Sequence, residues 1–254
     1  MNKKNIVVIG AGGRIGSVIS EHLIKNGHKV LLSDLNFLEI NRIKKKNFLF
    51  KDNIFLYKAN LCKEKNINNL IKIAKIKLGP VDIALNCLYP KNKNWGKDFF
   101  SLKESNLKDN LYNNIGPAIL FCQKVAKCFI ENNKRGNIIL FSSILGSNSP
   151  KFHHYIDTEI KSAIEYSAAK SAIISITKYL SKYLKQYKIK VNCISPGGIA
   201  DNQSLKFRNR YKKDCNSKGL LNPEDLISTI DYLISEKSDY VNGQNIIVDD
   251  GWSL

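Results

Sequence analysis

Tyr166 and Lys170 stand four residues apart in Tyr-Ser-Ala-Ala-Lys, at the start of a long segment free of proline. If that segment is helical, both side chains lie on one face. A phenol with an ordinary pKa near ~10 is protonated at neutral pH and needs a nearby cation before it can serve as a base. Lys170 supplies one: at about 4 Å and an effective dielectric of ~20, the attraction is on the order of 4 kcal/mol. The pair is therefore expected to lower the Tyr166 pKa and poise the phenol as a general acid/base. An amphipathic helix can also carry such a pair by accident, so the rest of the chain has to support the reading.

A second constellation lies near the start. The β-type run Asn5-Ile6-Val7-Val8-Ile9 breaks into Gly10-Ala11-Gly12-Gly13-Arg14-Ile15-Gly16, after which Ile15, Val18, Ile19 and Leu23 recur at helical spacing. Glycine at 10 permits a tight turn. Small residues at 12 and 13 let backbone N–H groups approach a pyrophosphate, and Gly16 lets the helix pack closely on the strand. A second run, Lys29-Val30-Leu31-Leu32-Ser33, ends in Asp34, where a carboxylate can accept hydrogen bonds from both hydroxyls of a ribose. Such a site favours NAD, although Arg14 offers a charge that could meet the extra phosphate of NADP.

These residues need a scaffold, and the remaining pattern provides one. Further strand-like runs fall at 54–59, 81–86, 137–141, 189–194 and 245–248, with helical patterns around 64–78, 106–131, 162–186 and 223–234. This alternation predicts an α/β fold: a single doubly wound, Rossmann-type domain over residues 1–254, with a seven-stranded parallel sheet covered by helices on both faces. Pro223, preceded by Asn222 and followed by Glu224-Asp225, marks a helix start. Residues 198–222, polar and irregular, are expected to form a flexible substrate loop.

Composition narrows the function. The six cysteines form no CxxC pair and have no histidine at metal-ligand spacing, so reduced thiols and no metal are expected. A formal charge of +18 comes from scattered lysines without a basic stripe interleaved with aromatics, which argues against nucleic acid as partner. Such a field instead concentrates anionic small molecules. No apolar run is long enough to span a bilayer, and the first residues lead straight into a strand, so a cytoplasmic protein without a membrane partner is expected.

With the glycine turn, Tyr166 and Lys170 in place, the chain resembles the short-chain dehydrogenase/reductase family over essentially its whole length. Val81-Asp82-Ile83-Ala84-Leu85-Asn86 stands where the family has a strand ending in asparagine. Ile138-Ile139-Leu140-Phe141-Ser142-Ser143 matches the strand that ends in the family's serine, and Val191-Asn192-Cys193-Ile194-Ser195-Pro196-Gly197 matches the strand and Pro-Gly loop beside the nicotinamide. The resemblance implies hydride transfer between a substrate carbon and NAD(P). Tyr166 would exchange the proton, Ser143 would bond the same oxygen, Lys170 would hold the ribose, and Asn114 or its neighbour Asn113 would complete a relay through water. It also implies cofactor contacts from Gly10, Gly12, Gly13, Arg14, Ile15, Gly16, Asp34, Asn60, Leu61, Asn86, Pro196, Gly197 and Ile199, and assembly as a homodimer or homotetramer through the Tyr166 helix, lined by Ala168, Ala169 and Ala172, and the last strand.

The sequence departs from the family pattern in four places. Arg14 replaces a glycine of the turn, Asn60 an aspartate, and Cys87 and Tyr89 the residues after the fourth strand, while residues 150–162 form an insertion between Ser143 and Tyr166. A narrower similarity, in Tyr89-Pro90-Lys91-Asn92-Lys93-Asn94-Trp95-Gly96, in Gly198-Ile199-Ala200-Asp201-Asn202-Gln203 and in the ending Asp249-Asp250-Gly251-Trp252-Ser253-Leu254, points to the flagellin-modification branch. That branch implies a sugar or nucleotide-sugar substrate in surface-glycan (nonulosonic acid) synthesis. Asn92, Asn94, Tyr155, Asn202 and Gln203 are the expected substrate contacts, and the insertion, with Glu159 among its polar groups, is expected to act as a lid. Its histidines, His153 and His154, are read as surface residues. Two alternatives share the fold: a 3-oxoacyl-thioester reductase of lipid synthesis, and a non-catalytic cofactor-sensing subunit.

Overall fold

A computed structural model describes residues 2–254. Seven parallel strands form one sheet in the order β3-β2-β1-β4-β5-β6-β7. They are β1 (Asn5–Ile9), β2 (Lys29–Asp34), β3 (Ile54–Lys58), β4 (Ile83–Asn86), β5 (Gly136–Phe141), β6 (Ile189–Pro196) and β7 (Asn245–Val248). The helices are α1 (Arg14–Lys25), α2 (Phe37–Lys46), α3 (Glu64–Lys77), α4 (Glu104–Glu131), α5 (Ile164–Tyr183), α6 (Leu205–Lys213) and α7 (Ile227–Ile234).

The strands read as continuous apolar runs because helices cover both of their faces. Val7, Leu31, Ala84, Ile138 and Val191 join Phe121 and Phe129 of α4 in one core, while Ile6, Val30, Leu85 and Ile139 join Leu23 of α1 and Ile230 of α7 in the other. Truncating a fully buried side chain such as Phe121 to alanine would cost about 3–5 kcal/mol. β1 pairs with β2 on one side and β4 on the other. The chain therefore reverses direction across the sheet at this point, and a crevice opens beyond the carboxyl ends of β1 and β4.

Residues 198–222 differ from the irregular loop expected. Their middle is α6, capped by the Ser204 hydroxyl accepting from Phe207 N. Their ends are paired, with Ala200 N donating to Leu221 O at 2.7 Å and Leu221 N to Gly198 O at 2.8 Å. The helix escaped sequence reading because its face carries only two buried residues, Phe207 and Tyr211, among basic and polar neighbours. None of the helices among the described residues is long and apolar enough to cross a membrane.

Candidate active site

The glycine turn occupies the crevice. Gly10 has φ +70°, and a Cβ there would lie 2.6 Å from the Cys87 backbone. A Cβ at Gly16 would fall 2.1 Å from Gly10 O, which is why α1 can sit directly against the turn. Gly13 caps α1 without a side chain, so the unpaired N–H groups of the first helical turn stay available to an anion. Beside them Asp34 is held in place, Oδ2 accepting from Gly12 N at 2.9 Å and Oδ1 from Asn36 N at 2.8 Å.

A cleft of about 910 Å³ runs from Asp34, Asn60 and Leu61, past Gly10, Gly12, Gly13, Arg14 and Ile15, to Ser143, Tyr166, Lys170, Pro196, Gly197 and Ile199. Gly16 and Asn86 stand behind this wall instead of on it. Asn86 fixes the turn after β4 by accepting from Leu88 N at 3.0 Å. Arg14 turns away from Asp34: it donates to Ala200 O at 2.7 Å and pairs with Asp201 across the cleft mouth. The alternative of a guanidinium beside Asp34 is not what this conformation offers.

At the far end, β5 and α5 meet. Ser142 Oγ donates to Lys170 O at 2.7 Å, and Lys170 Nζ donates to Phe141 O at 2.9 Å. Ser143 caps the short turn after β5, its Oγ accepting from Leu145 N at 3.2 Å, and its hydroxyl is near enough to Tyr166 to favour the phenolate. The expected depression of the Tyr166 pKa is absent. Burial pushes the phenol up, Ser143 opposes this, and Tyr155 adds to the rise. Lys170 Nζ lies 5.7 Å from the Tyr166 ring centroid, and burial pulls its own pKa down to about 8. Desolvation is the dominant influence on both groups here.

Behind Lys170 lies a cavity of about 10 Å³ lined by Asn86, Asn113, Asn114 and Pro117, room for the centre of one water molecule. Pro117 sits inside α4 and has no N–H to give the carbonyl four residues earlier. That carbonyl belongs to Asn113, which also lines the main cleft. The Asn114 side chain is engaged elsewhere, donating to Asn110 O at 3.0 Å and Pro90 O at 3.2 Å. The geometry thus favours Asn113 over Asn114, and the proline four residues on was the signal in the sequence.

The remaining wall is more aromatic than expected. Tyr89, Tyr155, Phe207, Tyr211 and Trp252 line it, with Asn92 and Gln203 as polar contacts. Asn94, Asn202 and Glu159 lie off the cleft: Asn94 N donates to Asn92 Oδ1, and Asn202 and Glu159 are exposed. His154, read as a surface residue, is buried and bonded to Asp214 at 2.6 Å, while His153 reaches the same oxygen at 3.0 Å. Lys151 is 3.8 Å from that oxygen, so the carboxylate already faces a cation. The group fastens the insertion to the end of α6. Tyr211, Phe207 and Trp252 escaped sequence reading because only folding brings α6 and the last turn to this cleft.

Comparison with known proteins agrees with the geometry. The family model described as enoyl-(acyl carrier protein) reductase matches residues 10–253. Post-translational flagellin modification protein A of Campylobacter coli is 35% identical over 257 residues, covering 100% of both chains. A 3-oxoacyl-[acyl-carrier-protein] reductase of Rickettsia felis is 29% identical, covering 98% of this chain and 96% of the relative. A short-chain dehydrogenase of Leptospira borgpetersenii, solved with bound NAD+, superposes with a TM-score of 0.86 at 27% identity, covering 99% of this chain and 93% of the other. The chain belongs to the short-chain dehydrogenase/reductase family.

Proposed function

We propose that the protein is an NAD-dependent oxidoreductase that interconverts a hydroxyl and a keto group on a sugar or nucleotide-sugar. The observation that carries this reading is one continuous cleft with Asp34 and the glycine turn at one end and Ser143, Tyr166 and Lys170 at the other. The cradle fits a dinucleotide, because a Cβ at Gly10 or Gly16 would collide with backbone and one at Gly12 would crowd the Asp34 carboxyl. The nicotinamide supplies or takes the hydride. Tyr166 gives a proton to the nascent alkoxide, or removes it in the reverse direction, and Ser143 bonds the same oxygen. Lys170 holds ribose hydroxyls, and the Asn113 carbonyl with the small cavity connects it to solvent.

Asp34 supports NAD over NADP, since its carboxylate accepts from a free ribose 2′-hydroxyl and repels a phosphate there. The same residue weighs against the acyl-thioester reductase reading. The sugar assignment rests on the flagellin-modification relative and on the mixture of aromatic faces with Asn92, Gln203 and Lys91 along the wall. Aromatic rings can cover the apolar face of a sugar while the amides bond its hydroxyls. A cytoplasmic homodimer or homotetramer completes the proposal. Of the small residues named for its helix contact, Ala169 packs into its own core, leaving Ala168, Ala172 and the exposed Ile164, Tyr179 and Tyr183 on the outer side of α5.

The test is to offer the purified protein NAD or NADP with UDP-, GDP- and CMP-linked sugars and free amino sugars, following the absorbance of reduced cofactor. Turnover of a sugar with NAD supports the reading. Turnover confined to acyl thioesters with NADPH refutes it.

A further inference from the structure

Glu165 precedes Tyr166 at the start of α5, and its side chain is buried, with 1% of its surface exposed. An acid in a first helical turn gains from the helix dipole without being buried, so its burial needs another cause. Oε1 accepts from Gly96 N at 3.0 Å and from Asn110 Nδ2 at 3.3 Å. Oε2 takes no hydrogen bond from any described residue. The carboxylate therefore joins three pieces of chain at one point: α5, α4, and the loop that follows β4. The fold retains a buried acid side chain there, its Oε1 serving those two donors.

That loop covers Tyr166. The Tyr89 ring meets the Tyr166 ring edge-on at 5.3 Å between centroids, and Trp95 approaches it at 6.4 Å. The two wall residues brace each other, with Trp95 Nε1 donating to Tyr89 Oη at 3.1 Å. Asn114 ties the near end of the loop through Pro90 O, and Glu165 ties the far end through Gly96, one residue after Trp95. The groups facing the Tyr166 phenol from its surroundings are Lys170 on α5, Tyr89 on this loop, Tyr155 on the insertion and Ser143 after β5, while Glu165 acts on Tyr89.

We propose that Glu165 is a positioning residue: its carboxylate fastens the loop after β4 so that Tyr89 and Trp95 wall off Tyr166 and the substrate side of the cleft from water. This rests on Tyr166 being the proton-transfer group, but the fastening itself can be observed without turnover. Water exclusion raises the phenol's pKa further and keeps solvent away from the reacting oxygen.

The experiment compares wild type, E165Q and E165A. Glutamine keeps an acceptor for both donors and cannot ionise, whereas alanine removes the acceptor. Iodide quenching reads the wall, because the quenchable emission lost in a W95F control belongs to Trp95, the other tryptophan being the buried Trp252. Tyrosinate absorbance, with Y166F subtracted, reads the titration of Tyr166. In E165A the quenching constant of Trp95 should rise at least about twofold as the loop opens, and the Tyr166 midpoint should fall as water reaches the phenol. E165Q should match wild type in both. If E165A does not fold, E165D, whose shorter carboxylate cannot reach both donors, takes its place with the same expectation. Unchanged quenching and titration in E165A, or an E165Q as altered as E165A, overturns the proposal. Loss of turnover in Y166F is a separate reading, so failure of the wall and failure of the assignment of Tyr166 remain distinct.

Discussion

The Lys170 ammonium donates to the carbonyl of Phe141, the last residue of β5, at 2.9 Å, which locks the helix carrying Tyr166 to the strand that leads into Ser143. Ser142 adds the reverse bond, from its hydroxyl to Lys170 O. Two groups that sequence places far apart are thereby fixed in one register.

Lys170 gives stability an unusual dependence on pH. Burial pulls its pKa from 10.5 in the open chain to about 8 in the fold, so between those values the unfolded chain binds more protons. Wild-type stability therefore gains as pH rises through this window and carries the full penalty below it, on the order of 3 kcal/mol from end to end. In K170M that gain should vanish. Thermal denaturation of the two proteins at pH 7, 8, 9 and 10 checks this, and parallel Tm curves would exclude a buried, charged Lys170.

Asp34 should govern cofactor choice. Replacing it with serine removes the charge beside the ribose while leaving a group able to hydrogen-bond, and the ratio of NAD to NADP affinity should fall at least about tenfold. Calorimetric titration of D34S with each reduced cofactor measures it. An unaltered ratio would mean that Arg14 or another cation sets the preference.

The burial of His154 should make the insertion acid-sensitive. Burial lowers the His154 pKa below 6.5, with the Asp214 bond opposing, so the fold favours neutral imidazole. Stability is then full above the ordinary imidazole value and is lost as pH falls below it. H154Q, which keeps a donor near Asp214 without the titration, should show a flatter Tm between pH 7 and 5 than wild type.

Residues on the substrate wall should separate binding from chemistry. Tyr155 and Phe207 line the cleft with ring centroids 5.4 Å apart. Y155A and F207A should raise KM for the sugar about tenfold with little change in NADH affinity. Weakened NADH binding in step with KM would instead place them against the cofactor.

Much of this was legible in the chain itself. The sheet and five of the seven helices follow from apolar runs of strand length alternating with helical spacing, because burial on both faces leaves a strong local signature. The glycine turn, Asp34, Ser143, Tyr166 and Lys170 were equally legible, since each needs a particular residue type at a fixed place. What sequence missed depends on contacts between distant segments. Asp201 meets Arg14, Asp214 meets His154, and Gly96 meets Glu165 only after folding. The sign of the Tyr166 shift was missed for the same reason: spacing displayed the attraction to Lys170, while burial, which opposes it, belongs to the tertiary structure. The reading of Asn113 over Asn114 was recoverable, because Pro117 marks the carbonyl within α4 that loses its helical donor.

The central claim is that Tyr166 transfers the proton. The most direct measurement is kcat/KM of Y166F against wild type, with NAD and the best substrate found in the sugar panel, alongside NADH affinity by fluorescence titration. Phenylalanine keeps the ring packed against Tyr89 and Trp95 and removes only the hydroxyl. A loss of about 10²–10⁴ in kcat/KM with NADH affinity within about twofold of wild type is the predicted result. Wild-type turnover by Y166F would contradict the account.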